Sequence, residues 1–307
     1  LSGLAVSIRG VSHRYGQRQA LDGVTFDIAA GEIFGILGPN GGGKTTLLRL
    51  LSTLIPLQAG EVTLVGFDLR RDPYEIRRRI GVVFQAASLD KKLTVAENIR
   101  YQAALYGLAG SELRRRETEA LEQFGLRDRA AELCEKLSGG LRRRVELAKG
   151  MIHDPQLILL DEPSTGLDPG ARLDLWQLLS QLRDTRGTTV VLTTHILEEA
   201  AKADRLAILH EGKLVALDTP AALQATVGGD AITIRTANPS ALIQTLREKF
   251  SLSSSEVAGG VRLEVRDGHQ WIARLVDALP QDIVEITLGK PTLEDVFIAK
   301  TGRRFDQ

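Results

Sequence analysis

The stretch Gly38-Pro39-Asn40-Gly41-Gly42-Gly43-Lys44-Thr45-Thr46 constrains this chain more than any other. It follows the pattern G-x-x-x-x-G-K-[ST] without a mismatch. Glycines let a backbone turn tightly enough for its N–H groups to face one anion, Lys44 adds a positive charge toward the outer phosphates, and the Thr45 hydroxyl suits Mg²⁺. The flanks agree with that reading. Glu32 to Leu37 reads as a short buried strand and Thr46 to Leu51 as the first turns of a helix, whose N-terminus favours negative charge. A glycine-rich turn alone explains the glycines but not a Lys-Thr-Thr at the required offset.

Two further segments stand at a distance. Leu157-Ile158-Leu159-Leu160 is an apolar run ending in Asp161 and Glu162, as expected of a buried parallel strand that delivers acids to a phosphate site. Neighbouring strand residues point to opposite faces, so the two acids can serve different atoms, Asp161 the metal and Glu162 the attacking water. Between this strand and the loop, Ser138-Gly139-Gly140 opens an amphipathic helix. A serine before a helix is an ordinary cap, yet a helix start is also an anion site.

These segments resemble, in order and from about Leu4 to about Pro220, the ATP-binding subunit of an ABC transporter. By that resemblance Tyr15 stacks on adenine, Gly38 to Thr46 is the Walker A loop, and Gln85 in Val82-Val83-Phe84-Gln85 is the Q-loop glutamine. Leu137 to Leu141 is the signature sequence and Leu157 to Glu162 is Walker B. Ser164 to Asp168 is the D-loop, and His195 after Thr193-Thr194 is the switch histidine. Departures are small: Gly42 stands where the family more often has alanine, and Leu141-Arg142 where Met or Gln is more usual. The resemblance implies an α/β P-loop NTPase cassette with a RecA-like core, an antiparallel β subdomain and an α-helical subdomain at about 86–136. It also implies two cassettes head to tail, each ATP held between one subunit's Walker A loop and the signature Ser138, Gly139 and Gly140 and the D-loop Asp168 of the other. Lys44 neutralises phosphate, and Thr45, Gln85 and Asp161 hold Mg²⁺. Glu162 polarises the water and His195 contacts the γ-phosphate. With both present, the chain is expected to be an active ATPase.

Composition narrows the partners. Lys and Arg total 39, Asp and Glu total 39, and the net charge is zero, so no bulk charge points to nucleic acid. A single cysteine, Cys134, leaves neither a disulfide framework nor a thiolate metal cluster. No apolar run approaches the roughly 18 residues of a crossing helix. A transport role therefore requires a separate integral membrane permease, with this chain at the cytoplasmic face of the cell membrane.

Motifs stop after Pro220, and Val227-Gly228-Gly229-Asp230 reads as a linker. The expected division is a cassette at 1–225 and an accessory domain at 226–307. Strand (Ala231 to Thr236), helix (Pro239 to Phe250), a hairpin around Glu256 to Arg266, helix (Gln270 to Leu279) and strand (Ile283 to Leu288) alternate there as a small α+β domain. The ending from Lys290 to Gly302 resembles the tail of ABC-2 export ATPases of the daunorubicin-resistance type. Pro291 and Thr292 start its helix, with Leu293, Val296 and Phe297 facing inward or across a dimer. The reading is an ATPase subunit, dimeric with a second ATP-binding subunit, that exports a drug, lipid or glycan. A soluble ATPase on ribosomes or DNA, a regulatory subunit without transport, and a heterodimer remain open.

Overall fold

Two 12-residue strands, β1 (Leu4–Tyr15) and β2 (Arg18–Ala29), pair antiparallel. The computed structural model describes residues 3–257 and 260–305. The chain divides into two units, Leu1–Leu217 and Asp218–Gln307.

In the first unit there follow β3 (Ile33–Leu37), α1 (Lys44–Leu51), β4 (Ala59–Leu64), β5 (Phe67–Asp68), α2 (Pro73–Arg77) and β6 (Ile80–Val83). Next come α3 (Val95–Leu105), α4 (Gly110–Gln123), α5 (Gly139–Met151), β7 (Leu157–Asp161) and α6 (Pro169–Arg186). The unit closes with β8 (Thr189–Thr194), α7 (Leu197–Ala200), β9 (Arg205–His210) and β10 (Lys213–Asp218). One sheet has the order β2-β1-β4-β5 and the other β10-β9-β3-β8-β7-β6. Strands β9, β3, β8, β7 and β6 run parallel, and every residue of β3, β7 and β8 is buried. Helices cover both faces of a parallel sheet, so its central strands are continuously apolar rather than alternating. Their carboxyl ends share one edge, where an open α/β sheet places its ligand.

Two cores sandwich this sheet. Phe34, Ile36 and Val191 pack with Leu47, Leu48 and Leu51 of α1 and with Val6, Ile8 and Phe26 of the antiparallel sheet. On the other side Ile158, Leu160 and Leu192 meet Val145 and Leu147 of α5 and Leu175 and Leu179 of α6, and the core runs on to Ile99 of α3 and Leu121 of α4. One contact there is backbone on backbone. A Cβ on Gly81 of β6 would lie 2.3 Å from the carbonyl oxygen of Gly150 in α5, so only glycine lets strand and helix approach this closely. α3 opens on a capping box, with Glu97 N–H donating to Thr94 Oγ1 at 3.2 Å and Thr94 N–H to Glu97 Oε2 at 2.8 Å.

The second unit contains α8 (Pro220–Val227), β11 (Asp230–Arg235), α9 (Pro239–Phe250), β12 (Ser254–Val257), β13 (Gly260–Val265), α10 (Gly268–Ala278), β14 (Glu285–Gly289) and α11 (Leu293–Thr301). Its sheet order β12-β13-β11-β14, antiparallel throughout, makes the βαββαβ run a split βαβ sandwich. Ile232, Ile234, Val261 and Leu263 pack beneath Leu242 and Leu246 of α9 and Leu275 of α10. The hairpin expected around Glu256 to Arg266 is β12 and β13, and its residues 258 and 259 lie outside the described residues. Thr292 caps α11 in a capping box with Asp295, so the helix begins at Leu293. Leu293, Val296 and Phe297 are buried. The division falls after Leu217 instead of after 225, because α8 packs on α11 and so belongs with the second unit.

Candidate functional site

The loop between β3 and α1 is shaped by its neighbours. Gly43 has φ +105°, and a Cβ there would lie 2.7 Å from the carbonyl oxygen of Ala20, so the last turn before the helix requires glycine. α1 starts at Lys44 itself, and no side chain caps it, which leaves its start suited to an anion. Lys44 is buried, and Nζ donates to the carbonyls of Gly38 at 2.7 Å and Pro39 at 3.0 Å. Burial pushes its ammonium below the ordinary value, opposed by the charges of Glu162 and Asp161.

A cleft of about 340 Å³ lies over this loop, lined among others by Tyr15, Asn40, Gly41, Gly43, Thr46 and Gln85. Lys44, Thr45, Glu162 and His195 complete the sequence-expected set along its wall. Gly38, Pro39 and Gly42 do not line the cleft, and a Cβ on Gly38 or Gly42 would lie 2.2 or 3.1 Å from the carbonyl oxygen of Leu209 in β9. Thr45 Oγ1 donates to Asp161 Oδ1 at 3.3 Å. Glu162 Oε1 sits 3.7 Å from Lys44 Nζ. It is also 3.2 Å from His195 Nδ1, which is buried and without a hydrogen bond. Oε2 of the same carboxylate accepts from Gln85 Nε2 at 3.4 Å and Thr165 Oγ1 at 3.3 Å.

The two acids diverge for a reason other than strand alternation. β7 ends at Asp161, and Glu162 has φ +44°. That left-handed backbone is uncommon for a residue with a side chain. The turn carries the Glu162 carboxylate toward Lys44 and His195, while Asp161 stays in the strand beside Thr45. Thr193 stabilises both. Its Oγ1 donates to Asp161 Oδ1 at 2.6 Å and accepts the Glu162 N–H at 2.9 Å. Neither Thr193 nor Thr165 stood out in the sequence as part of the acid site. The only signal was a hydroxyl at the end of the strand that pairs with β7, where Thr193 faces Asp161.

Ser138, Gly139, Gly140 and Asp168 are elsewhere. Ser138 Oγ caps α5 by accepting from Leu141 N–H at 3.3 Å, and Asp168 Oδ1 caps α6 by accepting from Ala171 N–H at 3.0 Å. Ser138, Gly140 and Asp168 line a second cleft, of about 430 Å³. The two helix starts lie close together, since a Cβ on Gly140 would be 2.9 Å from that of Ala171.

A buried ammonium, a helix start and a strand-end acid pair converging at the carboxyl edge of a parallel sheet are suited to a nucleoside polyphosphate and to in-line attack on it by water. The protein is thus a P-loop nucleoside triphosphatase. A family model described as ABC transporter matches residues 21–165. Daunorubicin resistance ATP-binding protein DrrA2 of Streptomyces coeruleorubidus is 40% identical, covering 99% of this chain and 97% of its own. The Nod factor export ATP-binding protein I of Rhizobium sp. (strain N33) is 36% identical, with 100% of both chains covered. Among solved structures, the dimeric ATP-binding cassette MJ0796 in a post-hydrolysis state bound to ADP and Pi is 31% identical, with a TM-score of 0.62 and coverage of 70% of this chain and 98% of that one. The chain belongs to the ATP-binding proteins of ABC transporters, and it is an ATPase. Among the described residues no helix is long and apolar enough to cross a membrane.

Proposed function

We propose that two copies of this chain close head to tail around two ATP molecules, and that hydrolysis between them drives an integral membrane permease of ABC-2 type from the cytoplasmic face of the cell membrane. The exported cargo is a drug, lipid or glycan. One observation carries the reading: the loop cleft and the Ser138 to Gly140 and Asp168 surface are separate in the chain. A second subunit can therefore supply the missing wall, and in a homodimer that wall is the same surface. The names of the daunorubicin-resistance and Nod factor export relatives support export.

The residues fit Mg²⁺. Thr45, Asp161 and Gln85 offer hydroxyl, carboxylate and amide oxygens, a hard donor set that relies on phosphate and water for the remaining positions. When bound, the ion neutralises phosphate charge. Lys44 and the loop N–H groups hold the β- and γ-phosphates, and Tyr15, 45% exposed at the cleft rim, offers its ring to adenine. Glu162 takes the proton of the attacking water, and His195 and Lys44 face the transferred group. Ser138, Gly139 and Gly140 present a helix start to the partner's γ-phosphate, beside Asp168.

The test is recovery of partners on a tagged Glu162→Gln variant from detergent-solubilised native membranes with Mg-ATP. A multispanning protein is the expected result. Recovery of ribosomal or DNA-bound proteins in its place would sink the transport reading.

A further inference from the structure

One buried ion pair stands outside the loop cleft, although Arg143 also lines the second cleft beside Ser138. Arg143 and Glu146 lie one turn apart on α5, with side chains 9% and 5% exposed, and Arg143 Nη1 donates to Glu146 Oε2 at 2.8 Å. Such a pair is weak as a stabiliser, because desolvating both charges offsets their attraction, and apolar residues of the same volume would serve the helix as well. Its other hydrogen bonds converge on one segment. Arg143 Nη1 also donates to the carbonyl of Phe84 at 3.2 Å, and Glu146 Oε1 accepts the N–H of Ser88 at 2.8 Å. Those two backbone groups bracket Gln85. Lys149, one turn further along α5, donates to the Ser88 carbonyl at 2.7 Å. Residues 85–87 between the clamps are exposed, so they lack a core of their own to fix them.

We propose that Arg143 and Glu146 are positioning residues for Gln85: they seat both ends of its loop on α5 and so set where the Gln85 amide stands in the ATP cleft. The approach of β6 to α5 at Gly81 and Gly150 works in the same direction, since strand and loop then rest on one helix. Displacing a ligand-side group by about 1 Å can cost about 100-fold in rate, and these hydrogen bonds tie the loop to α5 on both sides of Gln85. The inference rests on reading Gln85 as part of the ATP site.

The experiment measures kcat, KM for ATP, the Mg²⁺ concentration for half-maximal rate and nucleotide Kd on the full-length protein. Arg143→Met is expected to lower kcat about 10- to 100-fold and to raise the Mg²⁺ requirement. The Kd of a fluorescent ATP analogue should stay within about threefold, and Arg143→Lys should recover part of the rate. In a Gln85→Ala background Arg143→Met should add nothing, because groups acting through one another are non-additive. Should Arg143→Met fail to fold, Ser88→Pro leaves α5 unaltered, removes the N–H that Glu146 accepts and stiffens the loop at the same point, and is expected to give the same kcat loss. Wild-type kcat in Arg143→Met or Ser88→Pro with a slow Gln85→Ala would overturn this inference alone. So would an equal loss in the Gln85→Ala background. Wild-type turnover by Gln85→Ala would overturn the reading of Gln85 and this inference with it.

Discussion

Replacing Glu162 by Gln keeps volume and removes one charge. Oε1 of this carboxylate stands 3.7 Å from Lys44 Nζ and 3.2 Å from His195 Nδ1, and Oε2 accepts from Gln85 and Thr165. An amide oriented with its oxygen toward Lys44 and its nitrogen toward Thr165 fits, since the threonine hydroxyl can turn to accept and the Gln85 amide can flip to present its oxygen. Lys44 retains Asp161 as a countercharge, so folding is expected to change little. The proton acceptor for the attacking water is lost. General-base removal costs about 10²- to 10⁴-fold, or about 3–5 kcal/mol of activation free energy. Binding should move the other way, because a neutral amide no longer repels the γ-phosphate and ATP affinity holds or rises. Steady-state phosphate release gives the rate, equilibrium titration gives Kd, and light scattering with Mg-ATP reports the trapped dimer. Turnover within about threefold of wild type, about 0.6 kcal/mol, would refute the assignment of Glu162 as base.

Lys44→Ala should weaken ATP binding about 10- to 100-fold, from the loss of charge-assisted hydrogen bonds worth about 1.5–3 kcal/mol; an unchanged Kd by titration would contradict the phosphate-loop role. Gly81→Ala forces a Cβ against the Gly150 carbonyl and should cost about 1–3 kcal/mol. Urea unfolding followed by Trp176 fluorescence in a Trp271→Phe background reads that loss in the first unit alone. His153 stacks on Tyr106 with ring centroids 3.7 Å apart, and its Nε2 lies 2.9 Å from the Ile80 carbonyl oxygen. Burial holds its pKa below the ordinary 6.5. The unfolded chain therefore takes up a proton that the folded one refuses, and stability falls as pH drops below 6.5. His153→Phe should flatten that part of the urea-midpoint profile against pH, and an unchanged slope would count against it.

The ATP site was legible wherever function depends on residue type at fixed local spacing. A lysine after glycines acts within a few residues of chain, and the structure places Lys44 on the wall of the loop cleft, where the local pattern puts it. What was not legible depends on distant segments. The left-handed turn at Glu162 is held by Thr193 from the neighbouring strand, and nothing around position 162 announces that pairing. Arg143 stands in the run Arg142-Arg143-Arg144, where residue type sets no one arginine apart. Helical rotation turns one of the three inward, and only the packed fold shows that it meets the Phe84 carbonyl. The strand order of the second unit is likewise set by pairing β11 between strands that lie later in the chain.

The seating of α8 on α11 has a practical consequence for anyone cutting or recombining this gene. A cassette ended at 225 would keep most of α8 as a stray helix, with Leu223 stripped of the burial it has in the intact chain. The complementary fragment, begun at 226, would lack most of α8 and leave apolar surface of α11 uncovered and prone to self-association. Chimeras that graft one relative's tail onto another's motor should therefore join between Leu217 and Asp218, so that the short helix travels with the domain it helps to close.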